Sequence, residues 1–176
     1  MMSDVFIEYL IKRKKDTKDF LIIAGLVVLA FILSFGSFFI GAAIIPDFMG
    51  VWLLLFALIW YFAYIFISQR NVEFEYALTN SEFDIDKIAA KKKRTRLASF
   101  DFKRAEIVAN INDTEHNSIL KDTSLKTLDY TSNTADKSNV YFVVVTTEGE
   151  KQIILFEPTQ RMLENIYRFN PRNVFI

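Results

Sequence analysis

The stretch VEFEYALTNSEFDIDKI, Val72 to Ile88, changes the period of the chain. Val72, Phe74, Tyr76 and Leu78 fall on one side of an alternating run, with Glu73 and Glu75 on the other. Phe83 and Ile85 repeat the pattern after the TNS link. Alternation around a turn-forming link predicts a β-hairpin with one face inward. A two-residue turn at Thr79–Asn80 sets Glu75 opposite Asp84 and Glu73 opposite Asp86. Like charges directly opposite are destabilising. Three remedies are open: a shifted register, a bound cation, or Lys91, Lys93 or Arg94 arriving from the next strand to neutralise Asp84 and Asp86.

Downstream, strand-like runs recur at Arg94–Phe100, Ala105–Ile111, Leu125–Tyr130, Val140–Thr147 and Lys151–Glu157, the last two joined by a tight EGE turn. PTQRMLENIYRF, Pro158 to Phe169, carries Met162, Leu163, Ile166 and Phe169 as one apolar stripe. It reads as a helix with Pro158 in its first turn, stopped at Asn170–Pro171. Seven strands need closure or two packed sheets, and a terminal helix can cover the open end.

Upstream, the composition is of another kind. The chain is 52% hydrophobic despite 24% charged residues because the charge is unevenly spread: from Phe20 to Ile67 only Asp47 is charged. Segments 20–45 and 48–67 are each uncharged, and about 20 apolar residues suffice to cross ~30 Å of hydrocarbon. Only Pro46 and Asp47 separate them, which forces an antiparallel hairpin over 20–68. Lys12, Arg13, Lys14, Lys15, Lys18 and Arg70 flank the hairpin, and its tip has no Lys or Arg. The positive-inside rule then predicts a multi-pass protein of the cell (inner) membrane with both termini cytoplasmic. Ala30, Ser34, Ser37 and Gly41 line one face of the first helix, a pattern that lets helices approach closely. Residues 1–19 place Phe6, Ile7, Leu10 and Ile11 at helical spacing before a basic linker. This predicts an amphipathic helix lying in the interface, or packed on the downstream domain.

Four strands, three strands and a helix are the order of the pleckstrin-homology (PH) fold. YALTNSEFDI, Tyr76 to Ile85, followed by a basic segment, resembles the opening hairpin of bacterial PH-like domains that follow paired transmembrane helices. The architecture is closest to small membrane proteins of Gram-positive bacteria. The resemblance implies an α+β membrane protein in which 70–176 form a seven-strand PH-like barrel with a C-terminal capping helix. It also implies a non-catalytic scaffold or binding module, and supplies no catalytic residues. The phosphoinositide role of eukaryotic relatives does not transfer, because bacteria generally lack those lipids.

Residues 87–100 hold six Lys/Arg side chains, and Lys91, Lys92, Lys93, Arg94 and Arg96 are the candidate contact for anionic lipid headgroups or a partner. The bland alternative is a solvated hairpin edge. Nucleic acid is disfavoured, because net charge is zero and no aromatics interleave with the basic residues. Without cysteine and with His116 as the single histidine, thiolate chemistry and multi-histidine metal sites are excluded within one chain. Asp113, Glu115 and His116 share a polar segment that reads as a solvated loop. No phosphate loop, nucleophile elbow or metalloprotease motif occurs. No cofactor or enzymatic activity is therefore expected. The expected partners are the bilayer and a protein partner or a second copy. An accessory subunit of a membrane transporter or membrane enzyme, joined through the small-residue face, is the alternative.

Overall fold

The computed structural model describes residues 5–147 and 149–176. They divide into two compact units: Lys15–Asn71, and Val72–Ile176 together with the chain up to Lys14.

The helical unit is a pair. Helix α1 spans Thr17–Ile44 and α2 spans Met49–Ser68, linked by a single 3₁₀ turn at Pro46–Phe48. Asp16 caps α1 by accepting the Asp19 N–H at 2.8 Å, and Asp19 returns the bond to the Asp16 N–H. Both helices are long and apolar enough to cross a membrane, and only 11% and 6% of their apolar windows are buried. The core helix of a soluble protein would be mostly buried.

The β unit has nine strands among its described residues, not the expected seven, and they form two open sheets rather than a closed barrel. Sheet A holds β1 (Phe6–Lys12), β2 (Val72–Thr79), β3 (Glu82–Ala89) and β4 (Lys93–Asp101) in that spatial order. Sheet B runs β6 (Lys126–Asp129), β8 (Glu150–Phe156), β7 (Tyr141–Thr147), β5 (Ile107–Asn110) and β9 (Val174–Phe175). The seven anticipated runs all form strands; β1 and β9 are the additions. Glu148 of the EGE link lies outside the described residues, and Gly149 turns with φ +83° before β8. Helix α3 covers Gln160–Phe169, with Thr159 as N-cap accepting the Met162 N–H. Pro158 therefore precedes the cap and is not in the first turn.

The N-terminal segment is the main correction. Residues 6–12 form a strand and not an interfacial helix, pairing antiparallel with β2 from Phe6↔Thr79 to Lys12↔Glu73. Its pattern fits two periods at once: Ile7 and Ile11 lie one helical turn apart, and they also sit on the same side of a strand. Tertiary demand decides between them. Without β1, β2 would expose a backbone edge beside the buried Phe74, Tyr76 and Leu78. The β domain is consequently discontinuous in sequence, with the helical pair inserted between its first two strands.

The two sheets face each other across one core containing Ile7, Ile11, Phe74, Leu78, Phe83, Ile85, Val143, Ile154 and Phe156, closed by Met162 and Ile166 of α3. Tyr76 is wholly buried there. Its hydroxyl donates to the Tyr130 carbonyl at 2.7 Å and accepts the Glu157 N–H at 3.2 Å, tying the sheets together. Burial pushes its pKa far above the ordinary phenol value, so it stays a donor.

Candidate functional site

The β2–β3 turn uses Asn80–Ser81, one step later than expected, so that Thr79 pairs with Glu82. Asn80 tolerates the left-handed φ of +54°, and its Oδ1 accepts the Val5 N–H at 3.0 Å. The shift places Glu75 opposite Asp86, and Asp84 opposite Ala77. One like-charge pair remains in the β2–β3 ladder, on the outward face of sheet A.

Sheet A answers it through a bulge. β4 carries one extra residue, Leu97, where the β3 register breaks between Ile85 and Asp86. Counting by twos from the buried Ala98 would turn Arg96 and Arg94 into the core. The bulge reverses their face, setting Arg96 opposite Asp86. Arg96 then reaches Asp86 through Nε at 2.5 Å and Asp84 through a terminal nitrogen at 2.8 Å. Arg94 pairs with Glu75 and approaches Asp86 at 3.9 Å. Hydrogen bonding to Asp86, with Asp84 adding attraction, raises the Arg96 pKa further. The in-chain neutralisation thus runs through Arg94 and Arg96, with Lys91 and Lys93 taking no part.

The basic cluster therefore splits. Arg94 and Arg96 are committed to carboxylates, whereas Lys91, Lys92 and Lys93 are exposed at the β3–β4 turn and make no ion pair among the described residues. The Lys92 N–H bonds to the Ala89 carbonyl at 3.1 Å, and Ala90 and Lys91 both hold left-handed φ, +52° and +57°. A turn of this hand matches strand twist but favours Gly or Asn. Two side-chain-bearing residues held there store strain, as functional loops often do.

Register fixes where these lysines stand within the sheet. Val72 pairs with Ala89, and Ala89 with Lys93. Lys12 pairs with Glu73, and the Arg13 N–H bonds to the Val72 carbonyl at 3.0 Å. The lysine turn is accordingly at the same end of sheet A as both points where the chain leaves for, and returns from, the helical unit.

In the helical unit Ala30, Ser34 and Gly41 are buried and Ser37 is half-buried. A Cβ at Gly41 would clash with the Trp52 ring of α2, so the stripe at Gly41 meets the same chain's second helix. Ser34 and Ser37 hydroxyls donate to the Phe31 and Ser34 carbonyls of their own helix. Phe35 packs edge-on to Phe56, with centroids 5.4 Å apart.

His116 lies in a loop, bonded to Asp113 at 2.7 Å and stacked on Phe175 at 4.0 Å. Among the described residues no group of three or more His, Asp or Glu could hold a metal. A groove of about 420 Å³ on the outer side of sheet B is floored by Ile107, Ile119, Leu125 and Val144, with the Lys151–Glu106 ion pair at its rim. Ser118 and Asp122 complete its polar lining.

The model of a bacterial PH-like domain family, DUF6106, matches residues 3–176. The chain belongs to that family. The match includes β1 and the helical pair as well as the continuous β region, in keeping with a PH-like domain interrupted after its first strand. No curated protein and no solved structure matches the chain. Membership supports a non-enzymatic binding module, the usual role of PH-like domains. Sequence reasoning missed β1 and the Arg96 contacts. The alternation of Ile7 and Ile11 with Glu8 and Lys12 was the available signal for the first, whereas a bulge leaves no comparable mark.

Proposed function

We propose that the protein is a membrane-anchored, non-catalytic PH-like binding module whose Lys91–Lys93 turn rests on anionic headgroups at the cytoplasmic face. The observation that carries this reading is the register: the unpaired lysines share an end of sheet A with Arg13 and Val72, where the chain meets the apolar helices. The helices serve as the anchor because their length, composition and low burial suit lipid. β1 before them pairs with β2 after them, so an even number of crossings returns the chain to one side. The Lys and Arg residues flanking the hairpin make that side the cytoplasm. Each lysine near an anionic leaflet contributes ~1 kcal/mol within a Debye length of ~10 Å. Three lysines suffice to orient a tethered domain, although not to recruit a free one.

The absence of cysteine permits a clean test. A spin label on Thr95→Cys, read in nanodiscs of neutral or anionic lipid, reports proximity to the surface. Shielding that grows with anionic lipid, falls with salt and disappears on Lys91→Gln/Lys92→Gln/Lys93→Gln supports the reading. Equal shielding in both lipids at every salt concentration rejects it.

A further inference from the structure

Strand β1 is an edge of sheet A, and among the described residues no strand lies beside its outer edge. The Asn80 N–H bonds to the Val5 carbonyl, and the Arg13 N–H to the Val72 carbonyl. By the antiparallel alternation, odd residues of β1 bond to β2, while the N–H and C=O groups of Phe6, Glu8, Leu10 and Lys12 point away. Their side chains are exposed as well, Phe6 at 61% and Leu10 at 44%. Native edges of this length are commonly guarded by charged side chains, such as Glu8 and Lys12 here, or by Pro, a bulge or a covering loop. β1 has a cover only at its end, where the Lys14 N–H bonds to the Ser132 carbonyl and Asn133 Nδ2 donates to the Lys14 carbonyl. Ser132 and Asn133 therefore meet the chain at Lys14, just past β1, and among the described residues the seam beside Phe6–Lys12 stays open.

We infer that this seam is a strand-addition site for an extended segment of a partner protein, with apolar side chains facing Phe6 and Leu10, a basic one facing Glu8 and an acidic one facing Lys12. Main-chain bonds to the four outward residues supply affinity, and the apolar–acidic–apolar–basic order supplies selectivity. An antiparallel guest would continue the backbone bonding already begun by Ser132 at Lys14. A second copy of β1 fits less well. The register that sets Glu8 against Lys12 of the other copy places Phe6 against Lys14, which Ser132 and Asn133 already hold. The inference is independent of the lipid reading, because it uses the edge of sheet A and not its lysine turn.

The test is hydrogen exchange of the full chain in nanodiscs, with millimolar acetyl-TETVTRTVT-amide as probe and its charge-exchanged counterpart TKTVTETVT as control. The amides of Phe6, Glu8, Leu10 and Lys12 should slow by about tenfold or more with the first peptide and far less with the second. Leu10→Pro removes an outward N–H without breaking a β1–β2 bond, so it should abolish the protection and leave exchange elsewhere in sheet A unchanged. Should that variant lose sheet A protection altogether, Leu10→Lys replaces it, leaving every backbone bond in place. Three results overturn the inference: no protection by the first peptide, equal protection by both, or protection of β6 or β9 instead of β1. Protection that rises with protein concentration without any peptide also overturns it, in favour of self-pairing.

Discussion

The Arg13 N–H donates to the Val72 carbonyl at 3.0 Å, joining the residue that leaves β1 to the residue that begins β2. With this bond the β1–β2 ladder is continuous at its base, although the whole helical unit intervenes in sequence. A fragment starting at residue 70 is therefore not the domain. It lacks the buried Ile7 and Ile11, each worth ~1.5–3 kcal/mol, and exposes the edge of β2. It should be destabilised by about 4 kcal/mol or more, a large part of an ordinary domain's stability. Joining residues 5–13 to 72–176 through an Asn-Gly turn should restore cooperative urea unfolding. Equal stability of the two proteins would show that β1 is not a core strand.

Arg96→Gln leaves Asp86, itself 8% exposed, without its nearest cation. Because the Arg96 side chain is half exposed, solvent screening limits the cost to about 1 kcal/mol, shrinking in high salt. Lys93→Gln should change stability by no more than ~0.5 kcal/mol. Urea midpoints at low and high salt separate the two, and an equal loss in both variants would contradict the division of the basic cluster.

Ala90→Gly should stabilise the β unit. Relief of the left-handed conformation is worth ~1–2 kcal/mol, against ~0.5–1 kcal/mol for the greater freedom of glycine in the unfolded chain. The net expectation is about +0.5 to +1 kcal/mol. A lower melting temperature would mean that Ala90 is not strained.

Gly41→Ala drives a methyl into the Trp52 ring, whereas a Cβ at Gly25 or Gly36 meets nothing within 4 Å. Overpacking of this kind costs ~1–3 kcal/mol. Denaturation in mixed micelles followed by tryptophan fluorescence should show the loss for Gly41→Ala alone. Indistinguishable curves for all three alanine variants would remove Gly41 from the helix interface.

Acid should loosen the polar loops at Asp113, Asp122 and Asp136 only below the usual carboxylate range. The hydrogen bond from His116 first, then the Glu115 N–H, holds the Asp113 carboxyl below the usual range; Ser124 and Ser138 do the same for Asp122 and Asp136. A depressed folded pKa contributes stability above the unfolded value of ~3.9 that is lost as pH falls through the folded pKa. Amide shifts of Glu115, Ser124 and Ser138 should therefore titrate with midpoints under ~3.9. Midpoints at or above that value would deny these turns their carboxylate acceptors.

The chain's own chemistry determined the apolar hairpin, seven of the eight described strands from Val72 onward and the final helix. Each is written in a local period and closed by local punctuation, such as Pro46–Asp47, Asn80 and Asn170–Pro171. Three matters were decided only in three dimensions. Residues 6–12 satisfy helix and strand periods alike, and the open edge of β2 chose the strand. The extra residue Leu97 turned Arg94 and Arg96 outward onto Glu75, Asp84 and Asp86, leaving only the lysines available. The pairing of Val72 with Ala89 then brought those lysines to the end of the sheet from which both helices depart. Edges, bulges and shared ends are relations between segments distant in sequence, and hydrophobic periodicity within one segment carries no record of them.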